Sequence, residues 1–277
     1  MLVADDSRNR QHGNIGSYAA IGDSFTEGVG DPGPDGTFVG WADRFAVLLA
    51  DQLPDSDGAT GPAGEAHGHF RYANLAVRGR LLDQIVEEQV PRAKELAPDL
   101  VSFCAGGNDI IRPGTDPDDV AERFERAVAD LAGSVGTVMV TTGFDTRGVP
   151  VLRHLRGKIA TYTAHVRAIA DRYDCPVLDL WSLRSVQDRR AWDGDRLHLS
   201  PEGHTRVALR AAQVLGIEVP ADPDQAWPPR AQRGALEERR DDIHWAREYL
   251  VPWIGRRLRG ESSGDHVEAK RPDLLPL

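Results

Sequence analysis

The sequence predicts an α/β protein, a three-layer α/β/α sandwich built around a five-stranded parallel sheet. Short apolar runs bounded by Gly, Asn or Asp alternate with longer stretches of helical period, the pattern of parallel strands joined by crossover helices. Each run is short enough for a strand buried on both faces and is followed by a polar or glycine-containing turn. The 277 residues, 40% of them apolar, are enough for one sizeable core with appendages.

Taken in order, residues 1–16 are a polar arm, and the first strand is Tyr18–Ile21. The stretch Pro54–Gly68, rich in Gly, Ala, Asp and Pro and without a period, reads as a mobile surface loop that could border a substrate entrance. The second strand is Phe70–Asn74, and Leu82, Ile85, Val86 and Val90 then lie on one helical face. The third strand, Leu100–Cys104, precedes a stripe of Val120, Phe124, Ala127, Val128 and Leu131. Thr137–Thr141 is the fourth, followed by Leu152, Leu155, Ile159, Tyr162, Val166 and Ile169 at helical spacing. After the fifth, Val177–Leu180, a last helix begins near Pro201 and runs through Val207 and Val214, so that the main domain spans 17–221.

Residues 222–277 form an extension. A Pro-rich link at Trp227-Pro228-Pro229 leads into a charged amphipathic helix carrying Leu236, Ile243, Ala246, Leu250, Trp253 and Ile254, with a break expected at Pro252. This helix could dock on the main body, pair with a second subunit as a homo-oligomer contact, or cover the active site. From about Gly260 the composition reads as disordered.

A net charge of −10 and a pI near 5.4 repel phosphate backbones, so nucleic acid is not an expected partner. Cys104 and Cys175 are far apart and lack metal-ligand spacing, which suits reduced, apolar-type cysteines. His67 and His69 have no further ligands nearby in sequence and read as part of a solvated loop, so neither metal nor organic cofactor is expected. No run approaches the roughly 18 apolar residues of a membrane span, and the charged amino terminus lacks the apolar stretch of a secretory signal. The expected location is the cytoplasm.

The candidate chemistry sits at strand ends. The first strand runs into Gly22-Asp23-Ser24-Phe25-Thr26-Glu27-Gly28, placing Ser24 where a strand gives way to a helix, at the carboxyl edge of the sheet. Two readings are open for it: with Glu27 three residues on, it matches a capping box, and it could also be a nucleophile whose turn offers backbone N–H groups to an oxyanion. A serine nucleophile needs a base, and the base needs a partner that fixes its tautomer. Asp195 and His198, three apart just ahead of Ser200-Pro201-Glu202, could supply both or could form only a local salt bridge; Asp193 is a rival acid, and His204 belongs to the following helix. Gly79, after the second strand, and Asn108, after the third, could donate to an oxyanion or serve as a plain turn and an Asx-turn.

Other motifs fail on context. Gly28-Val29-Gly30-Asp31-Pro32-Gly33 has the spacing of a dinucleotide fingerprint but lies beyond the strand and contains Pro32. There is no Gly-x-Ser-x-Gly elbow, Walker loop or His-Glu-x-x-His motif.

Ser24, Gly79, Asn108 and His198 occur in the order and context of the four blocks that name the SGNH/GDSL hydrolases, and the chain resembles that family over roughly residues 17 to 215. The resemblance implies a flavodoxin-like sandwich, a catalytic triad of Ser24, His198 and Asp195, and an oxyanion hole from the Ser24 and Gly79 N–H groups and the Asn108 amide. It implies a serine esterase that passes through an acyl-enzyme on a small-molecule ester. The glycine-rich Gly28–Gly36 segment and the lack of a long apolar lid favour acetyl or other short acyl chains. Two alternatives remain: an acyltransferase with the same triad, and a non-catalytic binding protein on the same fold.

Overall fold

The structure, a computed structural model, describes residues 15–53, 70–149, 152–229, 234–250, 252 and 263–277. The Pro54–Gly68 loop with His67 and His69, most of the amino-terminal arm, and Trp253 and Ile254 lie outside the described residues.

All five expected strands are present: β1 (Ser17–Gly22), β2 (Arg71–Asn74), β3 (Leu100–Cys104), β4 (Thr137–Thr141) and β5 (Val177–Leu178). They pair in parallel in the order β5-β4-β3-β1-β2. The helices are α1 (Ser24–Glu27), α2 (Gly40–Ala50), α3 (Leu82–Leu96), α4 (Gly107–Ile110), α5 (Pro117–Ala132), α6 (Arg156–Arg172), α7 (Pro201–Val214) and α8 (Ala235–Trp245).

Strand side chains alternate between two cores. Ala19, Ile21, Val101, Phe103, Val138 and Val140 pack with α3, α5 and α6 on one face. Tyr18, Ala20, Tyr72, Leu100, Met139 and Leu178 pack with α2 and α7 on the other. This is the three-layer sandwich, and continuous burial of strands such as β1 follows from helices on both sides. Among buried polar groups, the Tyr18 hydroxyl pairs with Ser102 Oγ at 2.7 Å. No helix among the described residues is long and apolar enough to cross a membrane.

The sheet has a sixth strand, which the sequence reading of a disordered end from about Gly260 does not anticipate. β6 (Arg271–Pro276) runs antiparallel along the open edge of β2. An edge position suits a segment with two prolines, because one side of the strand needs no ladder hydrogen bonds. Arg271 Nε donates to the Tyr72 carbonyl at 2.8 Å and Leu277 N–H to the Phe70 carbonyl at 3.1 Å.

The amphipathic helix of the extension is α8. Its regular winding ends at Trp245, ahead of the break expected at Pro252, and widens into a π-type turn over Ala246–Leu250. It docks on the main body, where Trp245 is buried against the loop that carries Asp195.

Strand order reverses between β1 and β3, and the segments after both strands meet there, at the carboxyl edge where open α/β sheets bind ligands.

Candidate active site

The turn after β1 is shaped by close packing. A Cβ on Gly22 would lie 2.6 Å from the Cys104 carbonyl oxygen of neighbouring β3, so only glycine fits. Asp23 caps α1, its Oδ1 accepting from the Phe25 N–H at 3.0 Å. Ser24 is therefore not the cap, and Glu27 does not complete a capping box. Burial pushes the Asp23 carboxyl up to about 6, against the Phe25 hydrogen bond and the nearby His198.

Glu27, buried, reaches across to the second block: its carboxylate accepts from the Arg78 N–H at 2.7 Å and pairs with the Arg78 guanidinium. That bracket fixes the segment leading into Gly79, whose φ of +75° is left-handed. Asn108, on the short α4, donates its side-chain amide to Asp23 Oδ2 and to the Arg80 carbonyl, both at 3.0 Å. The three blocks after β1, β2 and β3 are thus hydrogen-bonded to one another around Asp23 and Glu27.

The loop that carries Asp195 and His198 lies between β5 and α7. A bridge between Trp192 and Leu199 closes it, and Arg196 turns the chain with φ +58°. Asp195 Oδ2 meets His198 Nδ1 at 2.5 Å, while its Oδ1 accepts from the Leu197 and His198 N–H groups at 2.9 and 3.0 Å. Burial opposes ionisation of Asp195, but these hydrogen bonds and the imidazole outweigh it and hold the carboxyl below its ordinary value. Asp193, the rival acid, is exposed, and Asp195 takes the imidazole contact. Ser200 caps α7 as expected, accepting from the Gly203 N–H at 3.2 Å.

The segment after α1 and the Asp195–His198 loop touch directly: at Gly30, φ +99°, a Cβ would lie 2.2 Å from the Leu199 carbonyl oxygen. Of the glycines in the apparent dinucleotide fingerprint, Gly30 serves this packing, whereas Gly28 lies against the backbone of Gly40.

Ser24, Gly79, Asn108, Asp195 and His198 all line one cavity of about 440 Å³. Apolar side chains of Ile110, Phe144, Leu152, Ile159 and Leu180 also line it. Cys104 also lines it, and burial raises its thiol far above the ordinary value, which favours the protonated form. Among the described residues, no group of three His, Cys, Asp or Glu side chains could hold a metal ion. Sequence reasoning missed Asp23 and Glu27 as organisers, although both flank Ser24. It also missed Glu248 and Tyr249, which reach the cavity wall from the extension and carry no sequence signal for doing so.

His204 is a core histidine. Its Nδ1 accepts from the Trp41 N–H at 3.0 Å, which leaves Nε2 protonated to donate to the Val29 carbonyl at 3.2 Å. Burial pushes its pKa down to about 4. The unfolded chain therefore takes up this proton first as pH falls. The neutral imidazole contributes stability above about pH 6.5 that is lost on descending through 4, on the order of 3 kcal/mol. Unfolding midpoints measured from pH 7 to 4 should fall less steeply for His204→Asn, which keeps an acceptor for Trp41. The raised pKa of Asp23 works in the opposite direction but is common to both proteins. Parallel curves would contradict this role.

The chain matches the GDSL-like lipase/acylhydrolase family over residues 20–206. No protein of curated function matches it in sequence. Its fold is similar to that of LAE5, an alpha/beta hydrolase enzyme from the metagenome of Lake Arreo, Spain, at 22% identity and a TM-score of 0.59, covering 75% of this chain and 98% of that one. It is also similar to Axe2, an acetylxylan esterase from Geobacillus stearothermophilus, at 18% identity and a TM-score of 0.55, covering 75% and 97%.

Proposed function

Since this chain belongs to the GDSL-like lipase/acylhydrolase family and is a hydrolase acting on ester bonds, we propose that it is a serine esterase working through a Ser24-His198-Asp195 triad and an acyl-enzyme. The observation that carries the reading is the opening of Ser24, the Asp195-oriented His198, Gly79 and Asn108 on one cavity. Axe2 lends support: catalytic mutants of it replace a serine, an aspartate and a histidine, the last two with the three-residue spacing of Asp195 and His198.

In this mechanism Ser24 Oγ attacks the ester carbonyl while His198 Nε2 takes its proton. Asp195 holds the imidazole through Nδ1 and stabilises the imidazolium. The oxyanion of the tetrahedral intermediate is met by the Ser24 and Gly79 N–H groups and by the Asn108 amide, which gives up one of its two hydrogen bonds, to Asp23 or to the Arg80 carbonyl, to do so. His198 then protonates the leaving alcohol, and water, activated by the same base, releases the acid and restores the serine.

Asn108→Ala should lower kcat by about 10²- to 10³-fold if the amide is a true oxyanion donor. KM for p-nitrophenyl butyrate should change little, because the donor acts on charge that develops after binding. A kcat within threefold of wild type would remove Asn108 from the oxyanion hole.

The acyl group is proposed to be acetyl or similarly short. Both halves of the ester must share about 440 Å³, toward the lower end of the roughly 300–1,000 Å³ typical of small-molecule pockets. Rates on p-nitrophenyl acetate, butyrate and octanoate read the chain length. Octanoate as much the best substrate would overturn the short-chain assignment while leaving the triad untouched.

A further inference from the structure

The carboxy-terminal extension lies beyond the family match, which ends at residue 206, yet it grips the site from two sides. On the base loop, the Trp245 indole N–H donates to the Asp195 carbonyl at 2.9 Å. Arg196, in left-handed conformation between Asp195 and His198, is only 6% exposed. Its guanidinium lies 4.7 Å from the centre of the Trp245 ring and pairs with Asp242 at 2.6 Å. Tyr249 follows on, its hydroxyl 3.4 Å from the place a Cβ would take on Gly194.

On the nucleophile side, Lys270 Nζ donates to the carbonyls of Glu27, Phe38 and Val39 at 2.7, 2.7 and 2.8 Å and pairs with Asp43 at 2.6 Å. Glu27 closes the single turn that begins at Ser24. Lys270 is fixed in turn by β6, which begins at the next residue and is paired to β2.

We propose that the extension is a positioning device for the reaction. Trp245 and Asp242, acting through the Asp195 carbonyl and Arg196, set the base loop, and Lys270 sets the nucleophile turn against it. The physical reason is that Arg196 adopts a backbone conformation that an L side chain holds poorly unless its surroundings impose it. Here the surroundings are the turn's own backbone bonds, from Arg196 N–H to the Asp193 carbonyl at 3.0 Å and from Asp193 N–H to the His198 carbonyl at 2.8 Å, together with α8, which holds the Arg196 side chain and the Asp195 carbonyl from outside. A loop free to relax there would shift His198 relative to Ser24, and displacements near 1 Å can cost about 10²-fold in rate.

The proposal rests on the triad reading, and its test separates the two. Trp245→Phe removes the indole donor and keeps a ring beneath Arg196. Asp242→Asn removes the ion pair at a side chain that is 49% exposed, so that its effect can be read even if Trp245→Phe disturbs folding. In the double variant kcat on p-nitrophenyl butyrate should fall about tenfold or more, with KM within about twofold of wild type. Asp242→Asn alone should lower kcat in the same sense, and Asp242→Glu, which restores a carboxylate, should recover it. Unchanged kcat in these variants overturns the proposal, as does a loss confined to KM or one that merely follows the unfolding midpoint. With Ser24→Ala assayed alongside, an active Ser24→Ala sinks the triad reading itself; an inactive Ser24→Ala beside an unimpaired double variant sinks only the role given to the extension.

Discussion

Ser24→Ala is expected to lower kcat/KM for p-nitrophenyl butyrate by roughly 10⁴-fold or more, about 5 kcal/mol of transition-state stabilisation. What remains should be the small acceleration available from the cavity and the oxyanion donors acting on water. Folding should not suffer, because the helix cap is Asp23 and the bracket to the second block is Glu27, neither of which uses the Ser24 hydroxyl. An unchanged unfolding midpoint together with lost turnover separates chemistry from stability. Activity within tenfold of wild type would place the nucleophile elsewhere.

Asp195→Asn should be nearly as damaging, costing on the order of 10⁴-fold in kcat near neutral pH. The geometry fixes how the amide would sit. Asp195 Oδ1 accepts from two backbone N–H groups, so the asparagine oxygen takes that place and its NH₂ group is turned toward His198 Nδ1. Nδ1 must then accept, the ring proton moves to Nε2, and the lone pair that should receive the Ser24 proton is gone. Asp193→Asn is the matched control, since Asp193 is exposed, and it should stay close to wild type. Equal losses in both variants would argue against a specific orienting role for Asp195.

Much of this architecture is legible in the sequence because it rests on local period. The five parallel strands and the stripes on α3, α5 and α6 follow from runs of buried apolar residues that need no knowledge of their partners. The Asp195-x-x-His198 contact is equally local, closed within one turn. For Ser24 the local signal misled in part: a Ser with Glu three residues on resembles a capping box, but the neighbouring Asp23 takes the cap and Glu27 turns to Arg78, a contact 51 residues away. β6 escaped for a related reason. Arg271–Pro276 has two prolines and no apolar alternation, and it becomes a strand only because β2 offers an open edge and Lys270 finds three carbonyls and Asp43. Likewise, the docking of α8 could be expected from its apolar residues, whereas its target could not, because the Arg196–Asp242 pair spans 46 residues.

The most direct test of the proposed chemistry is mass spectrometry of the protein quenched early in turnover of p-nitrophenyl butyrate, with peptide mapping of any adduct. One butyryl group per chain is expected on the peptide containing Ser24, appearing with the first release of p-nitrophenol and absent from Ser24→Ala. A butyryl adduct on another residue, carried through turnover and still present in Ser24→Ala, would rule out Ser24 as the nucleophile.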